Sequence, residues 1–205
     1  MKQGLIGLWI VVLSVLGVLG LNSAYIVDQT EQAVITQFGE PVGKAIQEPG
    51  LYFKTPFIQV VHKFDKRILD WDGYPSEVPT NDKKFIWVDI NGRWRIEDPL
   101  RFFQTLHNER VAQTRLDDII DGITRNFLTR YNLTDIVRSS NRILEVEVGE
   151  EDIAAETEYE KISVGRDAIT RKILEQATDV VKEYGIELID IRVKRINYIA
   201  SSWKK

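Results

Sequence analysis

The sequence predicts an α+β protein: an N-terminal transmembrane helix, then a β-rich subdomain, then an α/β subdomain. Three observations predict it. An uncharged apolar run fills residues 4–24, apolar residues alternate with polar ones before residue 97, and the spacing lengthens to that of a helix after Asp98. The expected division is an anchor at 4–24, a β-rich membrane-proximal part at 25–97, an α/β part at 98–198 and a short tail at 199–205.

Gly4 to Leu21 reads GLIGLWIVVLSVLGVLGL, with twelve Leu, Ile or Val residues and Trp9 among them. As a helix this stretch rises about 27 Å, close to the roughly 30 Å hydrocarbon core of a bilayer. A cleaved signal peptide would have an apolar region of roughly 7–15 residues and an A-x-A-like site. Here the run is longer and Asn22-Ser23-Ala24 is a poor cleavage site, so a retained anchor is expected, with Trp9 contacting lipid. Lys2 precedes the run and the next basic residue is Lys44, so the positive-inside bias predicts a cytoplasmic N-terminus and an exported body.

Ala33 to Phe38 is rich in strand formers and stops at Gly39-Glu40-Pro41, while Leu51–Phe53 and Phe57–Phe64 flank a break at Thr55-Pro56. Ile86, Val88, Ile90, Trp94 and Ile96 alternate with Trp87, Asp89, Asn91, Arg93 and Arg95, the pattern of a strand with one buried face, and Gly92 in that series marks a candidate bulge. Asp98-Pro99 then opens a helix through Leu106, Asp as cap and Pro at the first helical position. Asn108 caps a longer helix with Leu116, Ile120, Ile123 and Phe127 on one face and Asp117, Asp118, Asp121 and Arg125 on the other. Leu133–Val137 reads as a connector, and the acidic 149–160 stretch as a helical start or a loop. Ile169, Ile173, Ala177 and Val180 mark a second amphipathic helix that Gly185 ends. The last strand, Ile186–Tyr198, switches its apolar parity once, which a bulge or burial on both faces would explain.

Composition removes several functions. With 31 acidic against 27 basic residues the net charge is −4, and the electrostatic pull toward phosphate backbones is missing, so no nucleic-acid partner is expected. Zero cysteines exclude thiolate catalysis and Cys-ligated metals, and two histidines, His62 and His107, offer little for a histidine metal site. No cofactor and no metal are expected. Asp117-Asp118-Ile-Ile-Asp121 matches a DDxxD string, but diphosphate chemistry needs a second acidic cluster in an all-helical cavity, and a solvated helix face is the reading adopted. Ser201-Ser-Trp-Lys204 fits S-x-x-K only formally, two residues from the end of the sequence, and Asn132-Leu-Thr134 is a sequon without evident consequence. There is no G-x-S-x-G, H-E-x-x-H or P-loop, so no catalytic residue is assigned.

Several segments in fixed order carry a resemblance. Tyr25-Ile-Val-Asp-Gln-Thr-Glu-Gln-Ala-Val34 follows the anchor, then Phe38-Gly-Glu-Pro41, Glu48-Pro-Gly-Leu-Tyr-Phe-Lys-Thr-Pro-Phe57, Asp65-Lys-Arg67, Trp94-Arg-Ile-Glu-Asp-Pro99 and Tyr184-Gly-Ile-Glu-Leu-Ile-Asp-Ile-Arg-Val-Lys-Arg-Ile-Asn-Tyr198. Residues 5–198 thus resemble the SPFH or band 7 group of stomatins, prohibitins, flotillins and the HflK and HflC proteins, most of all its HflC branch. The resemblance implies a non-enzymatic scaffold in the bacterial inner membrane with its bulk in the periplasm. It also implies hetero-oligomers with an HflK-like subunit around an FtsH-type membrane protease, whose access to substrates the assembly modulates. A stomatin-like organiser of lipid microdomains and, behind it, a membrane-bound peptidase are the alternatives. Such proteins continue into a charged, alanine-rich coiled coil, whereas this sequence stops seven residues past Tyr198, as a truncated product or a short variant would.

Two surfaces are expected to carry function. Tyr52, Phe53, Phe57 and Ile58, beside a Pro-containing turn, are either core or membrane contacts that dip into the leaflet next to the anchor. Asp117, Asp118 and Asp121, with Glu150, Glu151 and Asp152, are expected to meet protein partners.

Overall fold

A computed structural model describes residues 22–139 and 163–198, together with Trp9, Gly17 and Gly20. Most of the expected anchor, the acidic 149–160 stretch and the 199–205 tail lie outside the described residues. Among the described residues, no helix is long and apolar enough to cross a membrane.

The chain forms two compact units, and both are discontinuous. The first comprises residues up to Arg67 and Ile96–Glu109; the second comprises Ile68–Arg95 and residues from Arg110 onward. This differs from a simple cut at residue 97. The helix after Asp98 belongs with the first strands, and the strands after residue 68 belong with the later helices.

In the first unit β1 (Ala24–Val27) pairs antiparallel with β4 (Gly50–Phe53), Ala24 facing Phe53 and Ile26 facing Leu51. β2 (Glu31–Gln37) lies between β3 (Glu40–Pro41) and β5 (Gln59–Asp65), also antiparallel, in register from Glu31 with Asp65 to Gln37 with Gln59. Helix α1 (Pro99–Leu106) begins as its sequence predicts: the Asp98 carboxylate accepts from the N–H of Leu100 and Arg101 at 3.0 and 3.1 Å, and Pro99 takes the first helical position. Its Phe102, Phe103 and Leu106 are buried, and Phe102 meets Phe64 of β5 edge-on with ring centroids 5.3 Å apart. Gln32 is buried as well, and its side chain donates to the carbonyl of Ile96 at 3.1 Å, which satisfies the amide inside an apolar setting.

In the second unit the twelve-residue β8 (Phe85–Ile96) is long enough to pair with two strands in succession: β6 (Leu69–Asp72) along 91–94 and β7 (Ser76–Pro79) along 85–88. Its even-numbered residues are buried without exception, the predicted alternation. The helices are α2 (Glu109–Leu128), α3 (Leu133–Val137) and α4 (Arg166–Val181); a short 3-10 turn and Gly185, at φ 74°, lead into β9 (Ile186–Tyr198), which pairs with β8. The residues expected to form a plain connector, 133–137, make α3 instead. What folds them is a distant acid: Asp82 accepts from the N–H of Leu133 at 3.2 Å, while Asn81 donates to the Asn132 side chain at 2.9 Å.

The parity switch in β9 is a bulge. Glu187 and Asp190, three apart, meet Arg95 and Arg93, two apart, so β9 carries one extra residue there. Gly92 itself keeps regular pairing with Trp71 and is not bulged. It is glycine because the strand opposite comes close: a Cβ at 92 would sit 2.9 Å from the carbonyl oxygen of Asp190. Gly92→Ala is therefore expected to lower stability by about 1–3 kcal/mol, read as a lower urea midpoint; an unchanged midpoint would show that the strands part freely.

Candidate functional site

The first unit presents an apolar end. A single run of contacts defines it: Lys54 N–H donates to the Ser23 carbonyl at 2.7 Å, Gln59 N–H to the Thr55 carbonyl at 3.0 Å, Thr55 N–H to the Gln59 side chain at 2.7 Å, and the Gln59 side chain to that of Gln37 at 3.3 Å. These place the start of β1, the turn between β4 and β5, and the turn between β2 and β3 together. Each turn lifts a phenylalanine into solvent. Phe57 is 85% exposed and Phe38 is 84% exposed.

Both phenylalanines have left-handed backbone, φ 68° at Phe57 and 52° at Phe38. That is uncommon for a bulky residue. At Phe38 the cause is the two-residue connection between β2 and β3, where Gly39 also has positive φ (90°) and both central positions require it. At Phe57 the loop closes through the Thr55 carbonyl and the Gln59 side chain, after Pro56 has fixed the preceding residue's geometry. Neither strained position gains burial for its ring, so core packing does not account for them.

The β1–β4 ladder adds an apolar strip. Ala24, Ile26, Leu51 and Phe53 share one exposed face. Tyr25 and Tyr52 share the other, their rings stacked with centroids 6.0 Å apart, and the Tyr52 hydroxyl donates to the carbonyl of Glu48 at 3.0 Å. Of the four aromatic and aliphatic residues singled out around this turn, Phe53, Phe57 and Ile58 therefore face outward, and Tyr52 is half-buried against Tyr25. Trp9 is exposed. Phe38 is not among the contacts expected from the sequence, where it reads as the end of the strand that Gly39 stops.

The expected protein-contact acids fare differently from one another. Asp117 is engaged: it accepts from the indole N–H of the buried Trp71 at 2.7 Å. Asp121 is half-buried, and its carboxyl is pushed above the ordinary range, by burial first and then by Asp117 and Asp118, against the opposing pull of Arg125. Asp118 alone of the three is exposed. Glu150, Glu151 and Asp152 lie outside the described residues. Among the described residues no group of three or more His, Asp or Glu is arranged to hold a metal ion. What the apolar end offers is burial: each phenylalanine transferred from water to a greasy phase contributes about 1.5–3 kcal/mol.

Residues 25–201 match the family described as SPFH domain / Band 7. Protein HflC of Treponema pallidum is 38% identical over 193 residues, covering 89% of this chain and 58% of that protein. Protein HflC of Borreliella burgdorferi is 32% identical over 194 residues, covering 92% and 59%. The Escherichia coli K12 protein named Modulator of FtsH protease HflC is 29% identical over 218 residues, covering 96% and 64%. The chain thus spans about three fifths of the length of these relatives. By the family match and by these identities, the chain belongs to the SPFH/Band 7 family.

Proposed function

We propose that this protein is a membrane-attached, non-enzymatic regulator of HflC type, which assembles with an HflK-like subunit and modulates an FtsH-type membrane protease. The 4–24 run tethers it to the bacterial inner membrane with its N-terminus in the cytoplasm, and the two folded units lie in the periplasm. The observation that carries the membrane part is the pair of turn-tip phenylalanines, held at the same end of the first unit as Ser23, where the chain leaves the apolar run. The protease part is supported by kinship with proteins named for that role. Phe38, Phe53, Phe57 and Ile58 enter the leaflet surface beside the tether, and the exposed acid Asp118 is available to protein neighbours.

The sequence has no cysteine, so single labels are unambiguous. A fluorescent label sensitive to polarity, placed in Phe38→Cys and in Phe57→Cys of the chain reconstituted in vesicles, is expected to be blue-shifted and quenched by nitroxide-bearing lipid. The same label in Gln29→Cys, at the turn beyond the opposite end of the β2–β5 ladder, should not be quenched. Equal quenching at all three positions, or none at 38 and 57, would overturn the membrane-facing reading.

A further inference from the structure

The chain has two histidines, and both lie against one phenyl ring. The ring centroid of His62, on β5, is 4.6 Å from that of Phe103 on α1, and His107, just past the end of α1, is 5.4 Å from it. The Nε2 of His62 is 3.0 Å from the hydroxyl of Thr36 on β2, and Thr36 is buried. One imidazole thus touches the β2–β5 pair and the helix laid on it. We propose that this His62–Phe103–His107 stack is a proton-operated fastening between α1 and the β2–β5 ladder, closed while His62 is neutral and loosened when it is protonated.

The surroundings favour the neutral form. On β2 the residues at this position are Val34, paired with His62, and Thr36, neither of them charged. On α1 the sole charged residue is Arg101, which is exposed, and the titratable group just past its end is His107. On β5 Lys63 is paired with Glu31 at 2.7 Å, Asp65 is paired with Arg67 at 2.7 Å, and the Asp65 N–H donates to the Glu109 carboxylate at 3.3 Å. Among the described residues His62 has no carboxylate partner to compensate an imidazolium. Burial, and after it the repulsion of His107, holds His62 below its usual 6.5. The unfolded chain therefore takes up its proton first as pH falls: stability is full above about pH 6.5 and is lost as pH drops through the window between that value and the lowered one. Thr36 is two residues from the Phe38 turn, so the loosening extends toward the apolar end. That last consequence rests on the membrane reading; the fastening does not.

Hydrogen exchange on the full chain in nanodiscs tests it directly, with rates corrected for intrinsic pH dependence. Between about pH 7.5 and about pH 5.5 the amides of residues 102–106 should lose about threefold or more of their protection, while those of residues 116–128 hold theirs. His62→Gln should remove the change. Constant protection of 102–106 in the parent, or a change that persists in His62→Gln, would overturn the proposal. Because that variant could fold poorly, the imidazole signals of the parent are titrated by NMR as well: His62 should titrate below about 6.5, and a midpoint at or above it would equally overturn the fastening.

Discussion

Trp71→Ala is expected to lower the stability of the second unit by about 3–5 kcal/mol, out of a total that for a domain is typically about 5–15 kcal/mol. Trp71 is 1% exposed, lies on β6 across from Gly92, and its indole N–H donates to Asp117 on α2. Truncation removes a large ring from a site where Gly92 has no side chain to fill the gap, and it leaves Asp117 without that donor. Trp71→Phe should retain most of the packing and lose the hydrogen bond, costing about 1–2 kcal/mol. Asp117→Asn, which keeps an acceptor oxygen, should cost less than Asp117→Ala. Chemical denaturation of these four variants checks the order, and a Trp71→Ala protein as stable as the parent would remove the indole from any structural role. The same series separates two readings of Asp117. If it serves chiefly as the indole's acceptor, its loss appears in stability before it appears in any partner interaction.

The second large effect is at Asp135. This acid is 7% exposed and accepts three hydrogen bonds, from the N–H of Ser163 at 2.6 Å, the Ser163 hydroxyl at 2.9 Å and the N–H of Val164 at 3.3 Å. It ties the residues that enter α4 back to α3. Hydrogen bonds to a charged acceptor are worth about 1.5–3 kcal/mol each, and Asp135 is itself buried, so losing all three in Asp135→Ala should cost about 3 kcal/mol or more. Asp135→Asn keeps one acceptor oxygen and should cost about half as much. Exchange-protected amides in the first turn of α4 would report the loss locally, and unchanged protection there would contradict the assignment.

Much of this architecture is written in local chemistry. The Asp98-Pro99 pair announces α1 because cap and first-turn preferences act within four residues, and the alternation through β8 is visible because its two faces differ in burial at every step. The bulge in β9 also left a trace, one slip of parity among thirteen residues. What was not legible depends on residues far apart in the chain. α3 forms because Asp82 caps it from fifty-one positions away. The grouping of β6–β8 with the later helices follows from β9 returning to β8, a pairing that no local pattern encodes. At the apolar end, the sequence shows that Tyr52 and Phe53 are neighbours but not which faces outward; the register of β1 with β4 decides it, placing Tyr52 on Tyr25. The outward placement of Phe38 is not legible locally, because a single aromatic at a turn reads as the end of a strand until its partner tip, Phe57, is set beside it.

Attachment to the membrane and the partners met there are the central expectations for this protein. The direct measurement is to solubilise native membranes in a mild detergent, purify this chain and identify what comes with it by mass spectrometry. The expected result is recovery from the membrane fraction with residues 1–24 intact, together with an HflK-like subunit and an FtsH-type protease. Recovery from the soluble fraction with those residues still present, or a lipid-bound assembly of this chain alone, would contradict it.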